Sequence, residues 1–208
     1  MAFKLYHYVH CPFCVRVRMA LGYLNIPYES KVLRYDDEAT PTKLTGVKML
    51  PILQFEGGAM NESLDIIKFL DKENKLKPSG NDIGPLLNEL GNPIHSLAMP
   101  YWIYTPEFDQ VSRDYFKNKK EIKRGPFKDL VLRKDEFIQE LMPLLKKVED
   151  DLHPFYQSAT FGLNDILLAA HLWGLYIVPE FQFSEKLHTY LQSVKNICHF
   201  NYHHDFWS

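Results

Sequence analysis

Two thiols separated by two residues, in the tetrapeptide Cys11-Pro12-Phe13-Cys14, are the groups of this chain best placed to do chemistry. They stand between an apolar run, Phe3 to Val9, and a helix-like stretch, Val15 to Leu24. A strand ending just before Cys11 and a helix beginning at Pro12 would set the first sulfur over unpaired backbone N–H groups, at the positive end of the helix dipole. Such a setting turns a thiol into a thiolate at neutral pH. Cys11 is then the accessible nucleophile, and Cys14, one turn into the helix, the sheltered resolving thiol. Pro12 suits the first helical turn, where its missing N–H is no loss, and it stiffens the loop between the sulfurs. Arg16 and Arg18 are close enough to add positive potential, although arginines on such helices ordinarily face water. His10, ending the strand, either stabilises the thiolate or is simply packed.

The same Cys-x-x-Cys spacing is half of a zinc site. The remaining ligands would have to come from Cys198, His199, His203 and His204, which lie in a separate predicted domain without finger-like spacing. Redox use is therefore the preferred reading, with no metal. Cys198 shares an apolar face with Leu191 and Val194 and reads as a buried core thiol.

A chain of 208 residues has room for two small domains, each with its own core. With 46% hydrophobic and 24% charged residues it has the make-up of a soluble globular protein. A formal charge of −2 argues against nucleic acid as the main partner. No apolar run is long enough to span a membrane, and Met1 to Val9 contains Lys4 and His7 without a small-residue cleavage site. The expected location is cytoplasmic. Three cysteines make no disulfide framework.

The first 75 residues switch repeatedly between periods. Phe3 to Val9 reads as a buried strand, and Val15 to Leu24 as a helix ended by Asn25-Ile26-Pro27. Tyr28 to Leu33 is a second strand, and Glu38-Ala39-Thr40-Pro41 opens a short helix closed by Gly46. Pro51 to Phe55, a Gly57-Gly58 turn and a return strand near Ala59 to Asn61 follow. Ser63 caps a helix with Ile66, Ile67 and Leu70 on its apolar face. The order is βαβαββα over 1–73. A polar, proline- and glycine-containing linker over 74–84 leads to an all-helical half, 85–208. There Leu86 to Tyr104 is expected to be kinked or broken at Gly91-Asn92-Pro93 and Pro100. Arg133 to Leu152 is a long amphipathic helix despite Pro143, Gly162 to Tyr176 a buried one, and a last helix from Ser184 buries Leu187, Leu191, Val194 and Cys198.

This arrangement resembles a thioredoxin-like domain fused to a glutathione-transferase type helical domain, and more narrowly the bacterial glutaredoxin 2 family. The matching pieces are Cys11 to Cys14, Ile26-Pro27, Asp36 to Thr42, Gly46 to Gln54 and Asn61 to Ile66; Tyr115-Phe116, Lys119-Lys120-Glu121 and Gly162 to Leu167 match more loosely. Members commonly carry tyrosine where this chain has Phe13. The resemblance implies a mixed four-stranded sheet and a cis Leu50-Pro51 bond, leaving the backbone of Leu50 free to pair with an extended peptide. It also implies that Glu62 and Ser63 receive the α-amino acid end of glutathione and that Lys48 meets its glycyl carboxylate. From spacing alone, Pro51 is an ordinary strand-start proline, Ser63 an ordinary N-cap and Glu62 an ordinary first-turn acid.

The implied activity is glutathione-dependent reduction of glutathione mixed disulfides on proteins or small thiols, by a monomer, with no nucleic-acid or membrane partner. Two alternatives share the fold: a glutathione transferase or lyase acting on small electrophiles, and a non-enzymatic protein similar to the intracellular chloride channel group. Cys14 argues against the latter, which typically lacks the second cysteine. In the helical half, Gly162 and Asp165 read as an incomplete capping box. Lys117 to Arg124 reads as a solvated basic face. The tail His199 to Trp207 matches no pattern; it packs over the helical domain or binds adventitious metal.

Overall fold

The computed structural model describes residues 3–201. The chain divides into two compact units. The first comprises the described residues of Met1–Lys75, Tyr104–Phe116 and Lys195–Ser208, and the second Leu76–Ile103 and Lys117–Val194. The first unit therefore takes in 104–116, a segment expected to belong with the helices.

In the first unit, β1 (Phe3–His7), α1 (Pro12–Tyr23), β2 (Tyr28–Val32), α2 (Ala39–Thr45), β3 (Ile52–Phe55), β4 (Gly58–Met60) and α3 (Ser63–Leu70) follow in order. The sheet runs β2-β1-β3-β4, with β1 parallel to β2 and the other pairs antiparallel. It is the mixed four-stranded sheet of a thioredoxin-like domain. Leu5 pairs with Ser30 on one side and Leu53 on the other, so β1 is central. Ile52 and Leu53 are consecutive on β3 and both wholly buried. Successive strand residues point to opposite faces, so both faces of the sheet are covered.

α1 packs on α3 and is buried nearly all round; of its first ten residues, 12–21, only Phe13 is exposed. Arg16 and Arg18 are buried, against the expectation that they face water. Their guanidinium groups lie over the Phe13 and Phe200 rings at 4.4 and 4.9 Å. The end of the last helix, α9 (Glu185–Ile197), meets α1 closely at Gly22, where a Cβ would fall 1.8 Å from the Cys198 carbonyl oxygen. Cys198 is the buried core thiol expected.

The second unit is organised by α4 (Gly84–Trp102). α5 (Gln110–Arg124) carries the chain from one unit into the other. α6 (Phe127–Leu132), α7 (Lys134–Asp150), α8 (Leu163–Leu172) and a 3₁₀ turn, Trp173–Ile177, complete the helical half with α9. α4 touches α6, α7 and α8. Of the expected kink or break, the break is absent: the helix runs on through Pro93 and Pro100. Ile94, Leu97, Ala98 and Met99 between the prolines are all buried, and this packing offsets the lost backbone hydrogen bonds.

From Leu76 onward the polar segment 74–84 is tied down within the second unit. Leu76 and Ile83 are buried, the Lys77 carbonyl accepts from the Leu163 amide at 3.0 Å, and the Asn164 amide nitrogen donates to the Ser79 and Asn81 carbonyls. These bonds explain Gly162, since a Cβ there would lie 2.7 Å from the Lys77 oxygen. Asp165 still completes its half of the capping box, accepting from the Gly162 amide at 2.9 Å and also from the Tyr156 amide and the Tyr190 hydroxyl.

Candidate active site around Cys11

β1 ends four residues before Cys11, and Cys11 is the N-cap of α1, with extended backbone at φ −78° and ψ 120°. Its carbonyl accepts from the amides of Cys14 and Val15, each at 2.9 Å, so the helix starts immediately beneath the first sulfur. Pro12 occupies the first turn. Cys11 is half-buried and Cys14 wholly buried, both as free thiols. A hydrogen bond from the Cys14 thiol, the positive charge of His10 and the neighbouring amides of Cys14 and Phe13 hold Cys11 down at about 6. Burial and the nearby Cys11 sulfur push Cys14 the other way, well above the ordinary thiol range. The Tyr8 amide points at the Cys14 sulfur, 3.4 Å away. One thiolate and one thiol thus share a hydrogen bond at the mouth of a helix.

His10 does not reach into solvent. Its Nδ1 lies 2.5 Å from Oε1 of Glu107, which also accepts from the His10 backbone N–H at 3.1 Å. Glu107 is a site residue that motif reasoning passes over. The one hint in the sequence is an acid set between Pro106 and Phe108, where the structure has a turn rather than a helix. Arg16 is held by burial at about 10, and it feels the opposing charges of Cys11 and Glu62. Its guanidinium is stacked on Phe13, whose ring is 46% exposed beside the thiols.

The Leu50-Pro51 peptide bond is cis, and both residues are buried. Ser63 is not the N-cap expected of it: it is the first residue of α3, and the capping position is Glu62. Glu62 has φ 68°, the left-handed region that a non-glycine side chain occupies only under constraint from its surroundings. Ser63 is buried while the Glu62 side chain is exposed. Lys48 pairs with Glu38 at 3.3 Å and lies over the Tyr115 ring at 4.1 Å, and the Tyr115 hydroxyl donates to the same Glu38 oxygen at 2.5 Å. Exposed Met49 and Leu64 adjoin Leu50 and Ser63 in the chain.

Among the described residues no three His, Cys, Asp or Glu side chains converge as a metal site; His203, His204 and most of the tail lie outside the described residues. A groove lined by Phe3, Pro27, Tyr28, Gln54 and Phe55 lies at the starts of β1 and β2 and brings no thiol.

A strand, a Cys-Pro-Phe-Cys helix start and a cis proline on one mixed sheet, followed by a helical half, define a thioredoxin-like dithiol protein of glutathione-transferase architecture. The family model described as "Glutathione S-transferase, N-terminal domain" matches residues 5–78, and "Glutaredoxin 2, C terminal domain" matches residues 82–204. Glutaredoxin 2 of Escherichia coli strain K12 is 37% identical over 161 residues, 72% of this chain and 70% of that protein. The crystal structure of glutaredoxin 2 from Salmonella typhimurium in complex with glutathione superposes with a TM-score of 0.88 at 31% identity, covering 98% of each chain. A glutathione transferase from Phanerochaete chrysosporium, 16% identical with a TM-score of 0.69 over 95% of this chain and 98% of that one, shares the fold.

The chain belongs to the glutaredoxin 2 family and is a thiol–disulfide oxidoreductase.

Proposed function

We propose that the protein reduces glutathione mixed disulfides, with Cys11 as nucleophile and glutathione as cosubstrate. The observation that carries the reading is the opposed ionisation of the two thiols, Cys11 held at about 6 and Cys14 well above the ordinary range. The Cys11 thiolate attacks the glutathionyl sulfur of R–S–S–G, forming Cys11–S–S–G and releasing R–S⁻, which takes a proton from solvent. The thiolate of a second glutathione attacks that disulfide, giving oxidised glutathione and restoring the Cys11 thiolate. With a protein disulfide, Cys14 instead gives up its proton and closes the Cys11–Cys14 bond, releasing the second substrate thiol.

Glutathione is held, on this reading, by the backbone of Leu50 beside cis Pro51, by Glu62 and Ser63 at the start of α3 for the α-amino acid end, and by Lys48 for the glycyl carboxylate. The unusual backbone of Glu62 supports the assignment, because strained residues gather at binding sites. Lys48 has to leave Glu38, or share it, to take up a ligand carboxylate. His10, Pro12, Phe13 and Arg16 support the nucleophile. The natural substrates are glutathionylated proteins and small thiols in the cytoplasm, and the working form is a monomer, with the redox domain over 1–73 and 74–84 joining it to 85–208. No helix among the described residues is long and apolar enough to cross a membrane.

The test is turnover of a small glutathione mixed disulfide, beside conjugation of a model electrophile, with the same preparations. Cys11→Ser is expected to abolish reduction and Cys14→Ser to retain much of it. Equal loss in both variants, or conjugation without reduction, would overturn the proposal.

A further inference from the structure

The carboxylate of Glu107 is 1% exposed, and one of its oxygens accepts from both the ring and the backbone of His10. Its other oxygen is buried without a hydrogen-bond partner among the described residues. A buried carboxylate is tolerated when a cation or several donors compensate it. Here that compensation falls on the residue immediately before Cys11.

Rings from several elements pack around the His10 ring. Tyr8 from the end of β1, Tyr35 from the loop after β2, Phe108 from the turn after Glu107 and Phe116 from α5 surround it at 5.6, 5.8, 5.4 and 5.6 Å between ring centres. Among the described residues, the titratable groups against it include Glu107, Tyr8, Tyr35 and, next in the chain, Cys11. Burial raises both tyrosines, which stay neutral at working pH. The backbone of Glu107 is fixed as well, its carbonyl accepting from the Tyr35 amide at 3.2 Å.

We propose that Glu107 is a positioning residue for the nucleophile: its buried carboxylate holds both the ring and the backbone of His10 in place beside the Cys11 thiolate. The inference rests on Cys11 being the working thiol and adds a group that lies 97 residues away from His10 in the chain. Without the carboxylate, the His10 ring and backbone lose the acceptor that fixes them beside Cys11. The thiolate then loses one of the groups that stabilise it.

Glu107→Gln in the full chain is the direct test, because it keeps the shape and an acceptor oxygen and removes only the charge. The readout is the thiolate fraction of Cys11 against pH, by ultraviolet absorbance and by alkylation mapped to Cys11. The midpoint is expected to rise by about one unit, with about a fivefold drop in thiolate at pH 6. The double variant His10→Phe with Glu107→Leu fills the same space without charges, and it is expected to show the same rise. A folded variant of either kind that keeps the wild-type midpoint overturns the positioning role. If wild type itself shows no thiolate below the ordinary thiol range, both this inference and the nucleophile assignment fall.

Discussion

Removing the Cys14 thiol without touching Cys11 isolates the largest influence on the nucleophile. The hydrogen bond from Cys14 is foremost among those that bring Cys11 from 9.0 to about 6, and Cys14→Ala deletes the donor while leaving a good helix former in α1. Giving that bond about half of the depression puts Cys11 of the variant about 1.5 units higher. At pH 7 the thiolate fraction then falls from about nine-tenths to about one quarter. Nucleophilicity moves the other way, since a Brønsted slope of about 0.45 makes the more basic thiolate about fivefold more reactive. The two effects nearly cancel at pH 7. Away from neutrality they separate, leaving the variant about threefold slower at pH 6 and about fivefold faster at pH 9. The assay is the second-order rate of first-thiol release from a small symmetrical disulfide across that range. Curves of wild type and variant that fail to cross would refute the reasoning, because His10 and the backbone amides alone would then set the ionisation of Cys11.

Two stability predictions test the supports of the fold. Gly162→Ser restores a preferred N-cap residue worth a few tenths of a kcal/mol over glycine, but its Cβ meets the Lys77 oxygen at 2.7 Å. The clash costs about 1–3 kcal/mol, so thermal unfolding should fall by several degrees, and a rise would contradict the tight approach. His7 is wholly buried and lowered from 6.5 to about 3, first by burial and then by the charge of Arg18. With the folded value depressed, the unfolded chain takes up the proton first. His7 therefore contributes stability above pH 6.5 that is lost as pH falls towards 3, at up to about 1.4 kcal/mol per pH unit. His7→Leu should flatten that part of the denaturant-stability profile, and an unchanged slope would show that other groups carry it.

What was legible in the sequence follows from how local each feature is. Cys11 to Cys14 between an apolar strand and a helix, Gly46 after α2 and the strands around Gly57-Gly58 are set by neighbours in the chain, and local chemistry places them. The cis Leu50-Pro51 bond was reached through the family pattern, since a strand-start proline looks the same in either isomer. The cap of α3 was misplaced by one residue because Ser63 is the preferred residue type, whereas a left-handed Glu62 follows from what surrounds it. Arg16 and Arg18 were expected in water because the rings their guanidinium groups lie over, Phe13 within α1 and Phe200 far along the chain, form no pattern that local spacing reveals. Glu107 was missed for the same reason on a larger scale. Its partner is His10, and only the return of 104–116 to the sheet unit brings the two together.

The central claim is that Cys11 carries the glutathione. Incubating Cys14→Ser with oxidised glutathione, digesting it under non-reducing conditions and mapping the adduct by mass spectrometry tests that claim most directly. The account predicts a stoichiometric mixed disulfide on the peptide containing Cys11, formed at a rate that rises with pH as that thiol ionises and released by added glutathione. An adduct on Cys198, or none on Cys11 in the folded protein, would contradict it.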